Sequence, residues 1–181
     1  MNIIKTEIPD VLIFEPKVFE DSRGYFFESF SKRQFEEVIG QKIDFVQDNQ
    51  SRSSYGVIRG LHYQKGEYSQ AKLVRCIVGR VLDIAIDLRR NSPTFGRQIS
   101  VELNEVNRHS VFIPRGFAHG FAVLSETAVF QYKCDNYYNP QSEGGIFPLD
   151  AALGIDWKIA KQSAIISDKD LKLPLFNQAD F

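Results

Sequence analysis

A chain of 181 residues with 43% hydrophobic and 25% charged residues holds enough apolar material for one sizeable core, and a single domain over 1–181 is expected. Its formal charge of −1 gives no long-range attraction for nucleic acid or an anionic membrane, so an anionic ligand must be met by local cations. No run reaches membrane-spanning length, and 15 Phe with 7 Tyr favour strands and aromatic-lined pockets over a helical bundle.

The amino-terminal stretch MNIIKTEIPDVLIF breaks its apolar residues with Lys5, Glu7 and Asp10, so the continuous core of a signal peptide is missing and a cytoplasmic protein is expected. Val11 to Phe19, interrupted by Pro16, reads as an edge strand or an arm able to cross to a partner subunit. Asp21 to Phe30 sets Arg23 and Glu28 around a turn at Gly24, beside Tyr25, Phe26 and Phe27, in the pattern of an aromatic hairpin. Ser31 to Gly40 is the one clear helix: Ser31 caps it, Gln34 completes a capping box, Phe35, Val38 and Ile39 form one apolar stripe, and Gly40 ends it. Ile43 to Ser54 reads as a polar loop whose QDNQS segment, from Gln47 to Ser51, offers amide and carboxylate groups to a rim.

Gly56 to Gln64, GVIRGLHYQ, is a strand that carries Arg59 and His62 within an apolar run. Three residues apart, the two side chains point to opposite faces of a regular strand, but a bulge at Gly60 brings both to one face. In Gln70 to Val78 the alternation puts Lys72, Val74, Cys76 and Val78 together, and a lysine on such a face is costly to bury alone. Arg80 to Leu88 follows with Leu82, Ile84, Ile86 and Leu88 on one face and Val81, Asp83, Ala85 and Asp87 on the other. Asp83 can serve as a partner for Lys72, although a solvated face explains both aspartates more simply.

Gln98 to Leu103 and Ser110 to Ile113 add short strands, PRGFAHGFA from Pro114 carries His119, and Val123 to Cys134 carries Tyr132. The tail is turn-rich from Asn136 to Gly145 and ends in short apolar patches with the cluster Asp168, Lys169, Asp170. Short strands punctuated by Gly and Pro, with a few short helices, give an all-β jelly-roll or related barrel with an interior pocket. Cys76 and Cys134 lie in apolar runs without metal or redox spacing and read as buried free thiols.

Metal binding is disfavoured by count, since only His62, His109 and His119 are available and His109 sits in a polar turn. No GxSxG elbow and no phosphate loop is present. Proton transfer remains. A neutral imidazole at His62 is a competent base, Tyr132 can return a proton, Lys72 or Arg59 can stabilise an oxyanion, and an aspartate such as Asp170 can orient the imidazole.

These motifs converge. FEDSRGYFFESF, QDNQSRSSYGVIRGLHYQ, KLVRCIVGRVLDIAIDLR, NSPTFG, IPRGFAHGF, YKCDNYY and SDKD together make a chain that resembles the dTDP-4-dehydrorhamnose 3,5-epimerases of the cupin superfamily. PRGFAH looks like the second cupin motif, and Gly56 to Gln64 looks like a first motif with Gln64 in place of its second histidine. The resemblance implies a cupin-type jelly roll that inverts C3 and C5 of dTDP-4-dehydro-6-deoxyglucose with no cofactor and no metal. By resemblance His62 is the base paired with Asp170, Tyr132 is the acid, and Lys72 supports the enolate. Arg59, His119 and Lys169 would hold sugar or pyrophosphate, and Arg23, Phe26, Glu28, Gln47, Asp48, Asn49 and Glu143 would occupy nucleotide or rim positions. Tyr138 would stack on thymine. The resemblance also implies a homodimer whose amino-terminal strands cross between subunits. A single-centre epimerase and a non-catalytic nucleotide-sugar-binding barrel are the competing readings.

Overall fold

The alternating apolar runs in the middle of the chain become the two faces of a sandwich in the computed structural model, which describes residues 1–181. β1 (Asn2–Lys5), β2 (Leu12–Glu15), β3 (Phe19–Asp21) and β4 (Gly24–Phe26) precede the α-helix, α1 (Lys32–Ile39). β5 (Gln47–Ser54), β6 (Val57–Gln64), β7 (Lys72–Val78), β8 (Arg80–Asp87) and β9 (Gln98–Asn104) follow. β10 (Ser110–Ile113), β11 (Phe117–Val123) and β12 (Thr127–Cys134) complete the body, and β13 (Glu143–Gly145) and β14 (Ile165–Ile166) belong to the tail.

One sheet has the order β1-β2-β10-β7-β12-β5, and the other β13-β6-β11-β8-β9 with β14 added in parallel to β6. Packed face to face, they form the expected jelly roll. Their inner faces meet in a core where Val74, Cys76 and Phe130 of one sheet pack on Val81, Ala85 and Phe121 of the other. The Phe121 and Phe130 rings stack there at 4.2 Å between centroids. Outside the second sheet, Ile58, Leu61, Leu82, Ile84 and Ile86 are covered by tail residues that include Ile146 and Trp157. Outside the first, Phe35 of α1 packs on Phe14, Leu73 and Phe112.

Several local expectations change. Leu12–Glu15 is paired on both sides, to β1 and β10, and Val11 and Phe14 are buried, so this segment is neither an edge nor an arm. Gln47–Ser54 is a strand, not a loop. Its inward residues face a polar cavity and its outward residues face water, so no apolar alternation marks it. α1 ends as expected at Gly40 in the left-handed conformation, but Ser31 makes no side-chain cap, and Gln34 donates to Glu28 instead, at 3.2 Å. Asp83 and Asp87 are buried, not solvated, because their face of β8 is turned into the sandwich.

Candidate active site

The bulge read at Gly60 forms. Across β6 and β11, His62 pairs with His119 and Arg59 with Phe121, so Gly60 and Leu61 of one strand stand opposite the single Gly120 of the other. Ile58 and Leu61 therefore both join the outer core, while Arg59 and His62 both enter the cavity. Gly60 takes φ +122°, and a Cβ there would lie 2.6 Å from the Gly120 Cα, which explains why glycine stands on both strands.

Between the sheets lies a cavity of about 610 Å³. His62 and His119 line it from the second sheet, and Lys72, Asn49 and Tyr132 from the first, while Asp170 and Lys169 enter from the tail. β14 positions that tail segment by pairing Ile165 and Ile166 with Val57 and Ile58. His62 Nε2 lies 2.8 Å from Asp170 Oδ1, and the Gly60 amide donates to Asp170 Oδ2 at 3.3 Å. Burial disfavours ionisation of Asp170, but the hydrogen bonds from His62, Gly60 and Ser167 outweigh it and hold the carboxyl below its ordinary range. Asp170 is thus a carboxylate aimed at an imidazole.

Tyr132 is on the opposite wall from His62. Burial, reinforced by Cys134, raises its phenol above the ordinary value despite the opposing Arg59 charge, so the group keeps its proton. Lys72 has its Nζ 5.6 Å from the centre of the Tyr132 ring. Burial lowers its ammonium below the usual range, with Cys134, Asp83 and Glu143 opposing. Asp83 does not pair with Lys72: it bonds His119 Nε2 at 2.8 Å, deep in the barrel. Burial also lowers His119, against the pull of Asp83, so its imidazole is held towards neutrality. This second His–Asp pair escaped the sequence reading, and its only signal there was an aspartate in register opposite an apolar strand.

At the rim, Glu143 joins two further residues, accepting from Lys169 at 2.6 Å and from the Tyr138 hydroxyl at 2.8 Å. Burial opposes ionisation of Glu143, and those two bonds overcome it. Gln47 bonds Asn49 and accepts from the Tyr138 amide, tying the rim to β5. Gln64 is buried, donates to the Tyr68 and Tyr137 carbonyls and accepts from the Asn139 amide.

The remaining positions lie elsewhere. Asp48 points outward from β5 and pairs with Lys133 at 2.9 Å. Glu28 is exposed near α1. Arg23 and Phe26 stand on the β3–β4 hairpin, where Arg23 pairs with Asp21 and Phe26 is 70% exposed. The three histidines do not converge, since His62 and His119 each engage an aspartate and His109 lies beside Glu15. No group of three His, Cys, Asp or Glu side chains is arranged to hold a metal.

A cavity with an imidazole and a protonated phenol on opposite walls, and with Arg59, Lys72 and Lys169 among its lining, has the groups to hold an anion and exchange protons across it. Known proteins share this framework. The chain is 54% identical to the dTDP-4-dehydrorhamnose 3,5-epimerase of Shigella flexneri over 100% of its length and 99% of the relative. The crystal structure of the Elizabethkingia anophelis dTDP-4-dehydrorhamnose 3,5-epimerase superposes with a TM-score of 0.96 at 55% identity, covering 100% of this chain and 99% of that one. A Legionella pneumophila dTDP-6-deoxy-D-glucose-3,5-epimerase, solved with dTDP-4-keto-L-rhamnose, superposes at 0.95 with 49% identity over 99% of this chain and 94% of its own. The family profile described as dTDP-4-dehydrorhamnose 3,5-epimerase matches residues 5–178, so nearly the whole barrel with its tail is accounted for by one family, and the chain belongs to it.

Proposed function

We propose that this protein epimerises dTDP-4-dehydro-6-deoxy-α-D-glucose at C3 and C5 to dTDP-4-dehydro-β-L-rhamnose, as a step of dTDP-L-rhamnose biosynthesis. The observation that carries the reading is the His62–Asp170 pair facing Tyr132 across one cavity. The C4 ketone acidifies the protons on both neighbouring carbons. His62, oriented by Asp170, removes a proton from one face of the sugar. The electron pair moves onto the carbonyl oxygen, and Lys72 stabilises that enolate. Tyr132 returns a proton to the carbon from the opposite face, inverting the centre. Once His62 has released its proton to solvent and Tyr132 has regained one, repetition at the second carbon completes the reaction, with no redox change and no group transferred.

Arg59, His119 and Lys169 hold sugar and diphosphate, and Tyr138, Glu143, Gln47 and Asn49 form the nucleotide rim. We read 1–181 as one catalytic domain acting in the cytoplasm as a homodimer whose amino-terminal strands exchange. Support for association comes from the β3–β4 hairpin, where Phe19, Tyr25 and Phe26 are all more than half exposed. Arg23, Phe26 and Glu28 would then act at the partner's cavity mouth. Mass spectrometry of the nucleotide sugar after turnover in heavy water tests the activity: two deuterons gained are expected, and none would contradict it.

A further inference from the structure

Four arginines in this protein hydrogen-bond through Nε, and three of them take a carboxylate. Arg23 binds Asp21, Arg89 binds Asp87 through both Nε and Nη2, and Arg115 binds Asp135. Arg59 is the exception. Its Nε donates to the hydroxyl of Ser53 at 3.1 Å, and its guanidinium has no acidic partner. Ser53 is 7% exposed and stands behind Arg59, outside the cavity lining. The bond runs from β6 to β5, bridging the two sheets where Arg59 enters the cavity.

The difference is chemical. A carboxylate at Ser53 would take the guanidinium fork and neutralise it, as Asp87 does to Arg89. A hydroxyl holds the guanidinium plane through one nitrogen and leaves both the charge and the two terminal nitrogens available. Arg59 shares the cavity lining with Lys72 and Lys169, and Lys169 already faces Glu143. Arg59 therefore brings to the cavity a guanidinium fork whose charge no carboxylate offsets.

We infer that Ser53 is the positioning residue of the anion site: it orients Arg59 through Nε without discharging it, so that the terminal nitrogens meet the diphosphate of the nucleotide bidentately. This inference rests on the nucleotide-sugar reading above. It separates two roles that one Arg-anchoring residue can play, because an aspartate would anchor as well or better and yet spoil the receptor.

The test is calorimetric titration of dTDP into wild type, Ser53→Ala, Ser53→Asp and Ser53→Thr, with thermal melting and kcat and KM on each. Ser53→Ala is expected to weaken dTDP about tenfold and Ser53→Asp by more, while Ser53→Thr, which keeps the hydroxyl, stays within about twofold of wild type. The Ser53→Asp melting temperature should equal or exceed that of Ser53→Ala, and KM should rise more than kcat falls. Wild-type affinity in Ser53→Asp or Ser53→Ala would overturn the inference, showing that the bond only ties the sheets together. A wild-type protein that fails to bind dTDP would instead overturn the nucleotide-sugar reading on which it rests.

Discussion

Asp170 reaches His62 from the tail, 108 residues away in sequence, and closes a 2.8 Å contact with its Nε2. The same carboxylate accepts the amide of Gly60, the bulge residue that turns His62 into the cavity. One side chain thereby orients the imidazole and pins the backbone that presents it. Asp170→Asn should keep the fold and dTDP binding but lower kcat by ~10²–10⁴, the range for losing a group that fixes a catalytic imidazole. Steady-state kinetics with calorimetric dTDP titration checks this, and an unchanged kcat would remove Asp170 from the mechanism.

Tyr132 gives a separable prediction. Because burial raises its phenol, the acid form persists at least to its ordinary value of about 10, and the alkaline fall of kcat below that pH should not belong to Tyr132. Tyr132→Phe should still wash out substrate protons in heavy water while product formation falls steeply. Equal loss of both would make the phenol a binding group.

Gly60 leaves no room for a side chain. A Cβ would meet the Gly120 Cα at 2.6 Å and the His119 carbonyl oxygen at 2.8 Å, on a backbone with φ +122°. Gly60→Ala should cost roughly 2–4 kcal/mol of stability, since strain and overpacking add. The fraction that still folds should lose activity, because Arg59 and His62 leave their common face. Denaturant unfolding measures the first effect, and a wild-type midpoint would contradict the close approach.

Asp87 supports the barrel away from the cavity. It is fully buried and accepts from Arg89, Ser92 and Thr94. Burial opposes its ionisation, but these bonds hold its carboxyl well below the ordinary range. With the folded value depressed, its contribution is full above the unfolded value of about 3.9 and is lost as pH falls through the folded one. Asp87→Asn should destabilise by ~3 kcal/mol at neutral pH, because it strips Arg89 of its buried partner. The gap in melting temperature between variant and wild type should narrow as pH drops below about 4. A constant gap would show that the charge is irrelevant.

The fold and the chemistry were unequally legible. The Gly60 bulge could be read because two polar residues three apart in an apolar strand have no other route to one face. β5 could not, because the more buried Asn49, Ser51 and Ser53 alternate with the exposed Asp48, Gln50 and Arg52, polar residues on both faces that leave no apolar period. Asp83 was misread for a related reason: an aspartate alternating with Val81 and Ala85 looks like a solvated face until the sandwich buries it against His119. The residues name Asp170 only as one aspartate able to orient an imidazole, and the resemblance singles it out as the partner of His62, as no local pattern connects residues separated by most of the barrel. Arg23, Phe26 and Glu28 stand apart from the cavity in one chain, so their expected role depends on a second copy.

The most direct test of double inversion by opposed proton transfer is proton NMR of the purified protein with dTDP-4-dehydro-6-deoxyglucose in heavy water, following deuterium entry and configuration at C3 and C5. Labelling with inversion at both carbons is the predicted result. Inversion at a single carbon, or no labelling by a protein that still binds the nucleotide sugar, would contradict it.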